Sequence, residues 1–332
     1  MSASVTVLAS FSLLSAFGAG SASAAGSVGN AGPRLIHNGN AFPDHAIAAA
    51  PNTPAAALPA HGGINIIPTF DTTITQDPQA ALIEKGIKAD LATLHNLVLT
   101  PINVTIEFAS SPSGLGGAAT YYNTEPYSSY RTDLQHRPNL SVFDHRAQST
   151  LPAAAVNPVD GTADVNMTLP LLRATGEKAL SFTGDHVDST IFLNTSIMNL
   201  SRTGPRDPAK YDLQQVAMHE IVEVLGAGGA GDSLLSNQVG PMDLFRYSAK
   251  GVRSYTTDPN EKAYFSINGG STSRGYFNQD PGGDYGDWSH DLNGKPQVQD
   301  AFSTPNLRLN LDHNEIIALD VVGYHVRDNA NW

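Results

Sequence analysis

The chain has 332 residues, 41% of them hydrophobic, so it is long enough to bury a substantial core and is not disordered as a whole. Its formal net charge of −12 argues against nucleic acid or an anionic membrane as the main partner. Because the chain contains no cysteine, disulfides and thiolate metal sites are excluded, and any metal ion must be bound by His, Asp and Glu.

The first 24 residues have the pattern of a secretory signal peptide. A short apolar run is followed by Ala22-Ser23-Ala24, the small-residue pattern of a signal-peptidase site, although no Lys or Arg precedes the run. The run is too short and too rich in Ser and Gly to span a membrane. We therefore expect residues 1–24 to be removed and the mature protein to be secreted, either extracellular or periplasmic, without attachment to a membrane.

Three further regions are expected after the signal peptide. Residues 25–62 are rich in Ala, Gly, Pro and Asn, a composition that predicts a flexible leader or linker. Residues 63–325 are predicted to form one folded domain, and residues 326–332 a short tail. The oligomeric state has no signature in the sequence.

The folded region opens with a predicted strand–helix–strand unit. Residues 63–70 are rich in Ile and are predicted to form a strand, with Pro68 suited to the edge of a sheet. Asp77-Pro78 is typical of a helix start, and apolar residues follow it at helical spacing. Residues 102–108 alternate between apolar and polar side chains like a second strand. Such a unit is the usual beginning of an α/β layer.

The rest of the domain is predicted to mix helices with short strands. In chain order, the predictions are a Gly- and Ser-rich loop at residues 110–122, a helix at 127–137, a strand at 188–194, a helix at 208–226, a short strand at 263–267 and a helix at 315–322. The fourth of these is the strongest helix, because it is apolar on nearly every side and ends where glycines accumulate. Together the elements predict an α+β fold in two lobes with this long helix between them.

The long helix carries three ionisable residues in apolar surroundings. His219, Glu220 and Glu223 lie within about 100° of one another on a helical wheel, and residues at i and i+4 are about 5–6 Å apart. Such groups are costly to bury unless something pairs with them, and a divalent cation is a suitable partner for His219 and Glu223. The ordinary alternative for one His and two Glu on a helix is a solvated face.

The segment from Met218 to Gly226, with the sequence MHEIVEVLG, resembles the HEIGHALG signature of zinc metalloproteases of the zincin class. Segments at 68–71, 242–247 and 318–324 extend the similarity to a family of secreted bacterial metalloprotease-like proteins with a leishmanolysin-like layout. Over roughly residues 63–325, the resemblance implies a zincin-like fold with an N-terminal strand–helix–strand lobe, a long active-site helix and a loop-rich C-terminal lobe.

The resemblance also implies a role for each site residue. His219 matches the first zinc ligand and Glu220 the catalytic base, whereas the second ligand position, a His in the signature, falls on Glu223. The third ligand position falls on Asp287, in the segment that ends at Trp288. This chain therefore has HEIVE in place of HExxH.

Two other residues are alternatives for the third ligand. His290 lies two positions after Trp288 and is able to replace Asp287. Asp232 resembles an acidic residue that the family carries at this distance from its first ligand, although a turn residue after the helix is the preferred interpretation.

Carboxylate ligands change what such a site is expected to do. Glu223 and Asp287 bring two negative charges to a divalent ion, which should weaken its Lewis acidity and favour harder ions. Zinc is the first expectation, with manganese or calcium as alternatives. The leading hypothesis is a secreted metal-dependent hydrolase, a peptidase acting on proteins or peptides, with Glu220 as base. The alternatives are a weak or inactive protein of the same fold acting as an extracellular binding module, and a structural protein without metal.

Overall fold

The structure of the chain, a computed structural model, describes residues 34–38, 63–176, 187–227, 239–291 and 294–327. The predicted signal peptide and most of the predicted leader lie outside the described residues. No described helix combines the length and apolar character needed to cross a membrane.

The described residues form a mixed α+β architecture, as the sequence predicts. Its α-helices are α1 (Thr72–Thr75), α2 (Ala80–Leu97), α3 (Tyr127–His136), α4 (Val142–Gln148), α5 (Leu169–Thr175), α6 (Leu213–Val224) and α7 (His313–Val322). Its strands are β1 (Arg34–Asn38), β2 (Asn65–Phe70), β3 (Asn103–Ser110), β4 (Gly116–Pro126), β5 (Asp164–Thr168), β6 (Ser189–Leu193), β7 (Met198–Asn199), β8 (Tyr211–Asp212), β9 (Arg246–Ala249), β10 (Val252–Arg253), β11 (Tyr264–Phe265), β12 (Gly275–Phe277) and β13 (Trp288–Asp291).

The first sheet contains the predicted strand–helix–strand unit. Its strand order is β1-β4-β6-β3-β2, with β5 paired to β4. The β2–β3 pair is parallel, as the crossover through α2 requires, and the β3–β6 pair is also parallel. The other pairs are antiparallel. Pro68 lies on β2, which is an edge strand, so the missing N–H of proline leaves no gap inside the sheet.

The start of the first long helix differs from the prediction. Asp77 does not cap α2, which begins only at Ala80 and has Gln79 at its N-cap. Instead, the Asp77 carboxylate accepts a hydrogen bond of 2.7 Å from the Gln79 backbone and forms a turn. The capping aspartate in this region is Asp71, whose side chain accepts from two backbone N–H groups at the start of α1.

The predicted loop at residues 110–122 is also wrong in its second half, where β4 begins at Gly116. The small residues there serve packing rather than flexibility. A Cβ atom added at Gly116 would lie 2.5 Å from Oε1 of Glu220, so only glycine allows the strand to approach α6 this closely. Glycine in this segment is therefore evidence of close contact with the helix that carries the candidate site.

Helix α6 lies against α2, β4 and β6 and is almost wholly buried. It begins at Leu213, later than the predicted start, because Asp212 caps it by accepting hydrogen bonds from the backbone N–H groups of Gln214 and Gln215. It ends at Val224, and Gly226 follows with a φ of 82°, the left-handed conformation that glycine adopts without strain. The prediction of a buried helix that stops at glycine is confirmed.

The second sheet has the order β10-β9-β11-β12-β13 and is antiparallel throughout. Arg246 on β9 is fully buried, where its Nη1 donates to the Tyr285 carbonyl at 2.6 Å and its guanidinium lies over the Phe277 ring. These contacts hold the segment that precedes Asp287, and Asp287 itself lies just before β13. The predicted C-terminal helix is confirmed as α7, which packs on α4.

Candidate metal centre

The structure brings His219, Glu223 and Asp287 together. Nε2 of His219 is 3.6 Å from Oε1 of Glu223 and 3.5 Å from Oδ2 of Asp287. One candidate ligand atom from each of the three residues lies within 4.8 Å of the others. His219 and Glu223 occupy successive turns of α6, whereas Asp287 lies just before β13 of the second sheet. The predicted convergence in space is therefore present.

The orientation of the His219 ring follows from a single backbone contact. Its Nδ1 lies 2.8 Å from the carbonyl oxygen of Val298. A carbonyl oxygen only accepts hydrogen bonds, so Nδ1 carries the proton and donates it. The opposite nitrogen, Nε2, is directed at the two carboxylates. A backbone carbonyl on one ring nitrogen is the usual way in which proteins orient a histidine that binds a metal through the other.

The electrostatics of the cluster show a surplus of negative charge. Burial alone would lower the pKa of His219, but the charges of Asp287 and Glu223 and their hydrogen bonds raise it well above its ordinary value. Burial, together with the charge of Glu223, raises the pKa of Asp287 to about 7 although His219 opposes this. The cluster therefore holds protons tightly. A divalent cation would displace those protons, because metal ligands bind in their deprotonated forms.

Glu220 lies beside the three candidate ligands and is itself buried. Burial, and then the charge of Glu223, raises its pKa well above the ordinary value of a glutamate. A cavity of about 10 Å³ borders Glu220, His219 and Val298. A space of that size admits about one water molecule. Glu223 and Asp287 are not among the described residues that line this cavity, which adjoins Glu220 on the Val298 side of the His219 ring.

A buried polar atom of the cluster supports a bound cation. Oδ1 of Asp287 has no hydrogen-bond partner among the described residues. Buried oxygen atoms are normally paired, and a free carboxylate oxygen beside a histidine nitrogen is a suitable ligand for a divalent ion. The donor set of one imidazole nitrogen and two carboxylates also fits, since all three groups bind zinc in proteins.

The carbonyl that orients His219 is itself held by a buried acid. Glu315 on α7 accepts a hydrogen bond of 3.1 Å from the backbone N–H of Gln299, and burial raises its pKa to about 8. The backbone N–H of Trp288 donates to the Gln299 carbonyl at 2.8 Å, which ties the same segment to the chain beside Asp287. The segment that carries Asp287 and the segment that carries the Val298 carbonyl are therefore joined by a backbone hydrogen bond.

The residues that position His219 cannot be recognised from sequence motifs. A backbone carbonyl such as that of Val298 leaves no mark in the sequence. Glu315 has a signal of its own, because Asp312 and Glu315 form the capping box of α7, a pattern that can be recognised from the spacing. That signal indicates a helix start and gives no hint of the link to His219.

The side chains of the two alternative third ligands lie outside the part of the chain that the structure describes. The backbone of His290 lies in β13 and pairs with Tyr276, and its side chain is outside the described part of the chain. Asp232 also lies outside the described residues. Both remain predictions from the sequence.

No family model, curated protein or solved structure matches this chain. The arrangement itself offers one nitrogen and two carboxylates for a cation, with a further buried carboxylate, that of Glu220, beside them. A buried His219, Glu223 and Asp287 group of this kind could hold a metal ion.

Proposed function

We propose that the protein is a secreted metal-dependent hydrolase with a zincin-like fold that acts on proteins or peptides. In this proposal His219, Glu223 and Asp287 hold a divalent cation, and Glu220 is the general base. The observation that carries the proposal is the direction of Nε2 of His219. Its ring is fixed by the Val298 carbonyl at 2.8 Å, and Nε2 then points at two carboxylates at 3.5 and 3.6 Å.

The chemistry of the cation is tuned by its ligands. When bound, a divalent cation acts as a Lewis acid that lowers the pKa of water and polarises a substrate carbonyl. Glu223 and Asp287 together compensate the two charges of the ion, so both effects should be weaker than at a site with histidine ligands alone. We therefore expect slow hydrolysis rather than none.

Glu220 is suited to move a proton. Its carboxylate follows His219 in the chain, is buried against Gly116 and borders the cavity that admits about one water. As base, a Glu220 oxygen would take a proton from the attacking water while the oxygen of that water bonds to the substrate carbonyl carbon. The same proton would pass to the leaving nitrogen as the peptide bond breaks.

The closure of the site favours a second candidate, a non-catalytic extracellular binding module on the same scaffold. The side chains of His219, Glu223 and Asp287 are only 9%, 3% and 5% exposed. A cation bound among them would stabilise the fold whether or not a substrate reaches it. On this view the ion has a structural role, and the partner binds elsewhere on the surface.

Metal content and turnover separate the candidates. The purified protein is analysed for bound metal, and hydrolysis of unfolded casein is measured with added zinc, manganese or calcium. Glu220→Gln should abolish hydrolysis and leave metal content nearly unchanged, because Glu220 is not a proposed ligand. Glu261→Gln, at an exposed position, is the matched control and should behave like wild type.

Each outcome has a distinct meaning. Metal uptake with turnover that Glu220→Gln removes supports the hydrolase. Metal uptake without turnover moves the conclusion to the binding module. A protein that takes up no divalent cation refutes the metal site and both functions built on it. Secretion is tested separately by sequencing the N-terminus of the exported protein, which should begin close to Ala25.

A further inference from the structure

A larger cavity lies on another side of α6, away from the metal centre. It has a volume of about 470 Å³ and is bordered by α2, α6, α7 and the segment 309–311. Small-molecule sites in proteins typically measure about 300–1,000 Å³. None of the candidate metal ligands is among its described lining residues. The cavity is therefore large enough for a small ligand of its own.

One side chain in this cavity has an unused hydrogen-bonding atom. Asp90 on α2 is 4% exposed, and its Oδ1 accepts a hydrogen bond of 3.0 Å from Nε2 of Gln214. Its Oδ2 is buried and has no partner among the described residues. Buried polar atoms are normally satisfied, so an unpartnered oxygen on a side chain that borders a cavity indicates a ligand or water near that position.

The surroundings of Asp90 favour its neutral form. Burial raises its pKa to about 8, and the charge of Asp212 adds to this effect. The nearby Arg202 opposes the shift but is largely committed elsewhere, since its Nε donates to the Asp212 carboxylate at 2.9 Å. A protonated Asp90 keeps the hydrogen bond from Gln214 on one oxygen and presents an O–H donor on the other.

The remaining charged groups of the cavity are positive. Apart from Asp90, the charged residues in its described lining are Arg202 and the exposed Arg327, whose Nε donates to the Asn96 carbonyl at 2.9 Å. The rest of the lining mixes polar side chains with apolar ones, among them Met218 and Ile316, both buried. A donor, an exposed cation and an apolar part of the wall together suit an anionic acceptor group on an apolar body.

We propose that this cavity binds a small aliphatic carboxylate. Its carboxylate accepts a hydrogen bond from Asp90 and is attracted by Arg327, and its tail packs against Met218 and Ile316. This site is independent of the metal centre, and its existence does not rest on the proposed hydrolase function.

The test compares three probes with the same tail: hexanoate, hexylammonium and hexanol. Binding to the full-length protein is measured by calorimetry at pH 6.5 and pH 9.5. Hexanoate should bind at the lower pH and lose affinity by roughly tenfold or more at the higher pH, where Asp90 is ionised and repels it. Arg327→Gln should weaken hexanoate binding and leave hexanol unchanged.

Asp90→Asn supplies the decisive control. The asparagine carbonyl can keep the bond from Gln214 while its N–H donates to the ligand, so hexanoate should bind this variant equally well at both pH values. Asp90→Ala should lose most of the affinity. Asp164→Asn, at an exposed position, should retain the wild-type pH dependence.

Several results would overturn the proposal. Preferential binding of hexylammonium that is lost in Asp90→Asn would identify a site for organic cations instead. Equal affinity for hexanol and hexanoate would mean an apolar cavity that does not recognise carboxylates. Failure of all three probes with a folded protein would mean that the cavity is not a site for ligands of this size.

Discussion

Replacing Glu223 by glutamine should lower stability in the presence of a divalent cation and change it little in its absence. The change is nearly isosteric and removes one negative charge from a buried cluster in which one histidine faces several carboxyl groups. In the presence of a chelator, the lost attraction to His219 and the lost repulsion from Asp287 should nearly cancel, so the variant should be about as stable as wild type. With a cation, the variant lacks one ligand and should gain far less stability than wild type.

The magnitude follows from the distances in the cluster. For candidate ligand atoms up to 4.8 Å apart, two unit charges interact by about 3.5 kcal/mol at an effective dielectric constant of about 20. Attraction between charged His219 and Glu223, 3.6 Å apart, is about 4.6 kcal/mol on the same basis and offsets this repulsion, so without a cation the stability of the variant should stay within about 1 kcal/mol of wild type. A cation at 100 times its Kd stabilises wild type by about 2.7 kcal/mol. For a domain of this size, that corresponds to a rise in Tm of roughly 5–10 °C.

The assay is thermal unfolding at pH 8, in EDTA and in zinc, manganese or calcium, with Glu261→Gln as the control for an exposed glutamate. If Glu223→Gln and wild type gain the same Tm from every cation, Glu223 is not a ligand. If the stability of the variant in EDTA differs from that of wild type by several degrees, the two electrostatic effects do not cancel and the reasoning is refuted.

Three further predictions concern the same core. The double change Glu223→His and Asp287→His should increase zinc affinity and casein hydrolysis, measured by competition with a chelating dye and by peptide release, because neutral ligands leave the ion more acidic. Gly116→Ala should destabilise the protein by about 1–3 kcal/mol in denaturant titrations, since its Cβ would lie 2.5 Å from Oε1 of Glu220. Asp90→Asn should become more stable relative to wild type as the pH rises from 5 to 8. With a folded-state pKa of about 8, native Asp90 stays protonated at pH values where the unfolded chain ionises, so the free energy of unfolding of wild type falls by up to about 1.4 kcal/mol per pH unit. Denaturant unfolding at several pH values measures this slope, which the variant should lack.

Part of the candidate site could be predicted because helices repeat regularly. His219 and Glu223 are four residues apart, so a helix places them on one face whatever the rest of the fold does. Asp287 has no such relation to them, and only the resemblance to zincin sequences indicated it. The parallel pairing of β2 with β3 was also within reach, since both strands and the helix between them have clear patterns.

Other features depend on tertiary contacts that no local pattern encodes. Glycine at position 116 favours a loop by propensity, yet close packing against Glu220 makes it part of β4. The hydrogen bond from His219 to the Val298 carbonyl depends on how residues 298 and 299 pass over α6. The burial of the site also depends on such contacts, because Asp287 and Val298 approach His219 from a later part of the chain.

The way α6 is held bears on which cation the site prefers. Gln214 bonds to Asp90 on α2, Gln215 to Ser303 and His219 to Val298, so contacts on separate segments oppose rotation of the helix. The candidate ligands it carries are therefore held in place, and among the described residues they number three with Asp287. Calcium takes about six to eight oxygen ligands, whereas catalytic zinc commonly has three protein ligands and one open position. If the proposed site binds a cation, a held set of one nitrogen and two carboxylates should therefore favour zinc over calcium, even though two of the ligands are hard oxygen donors.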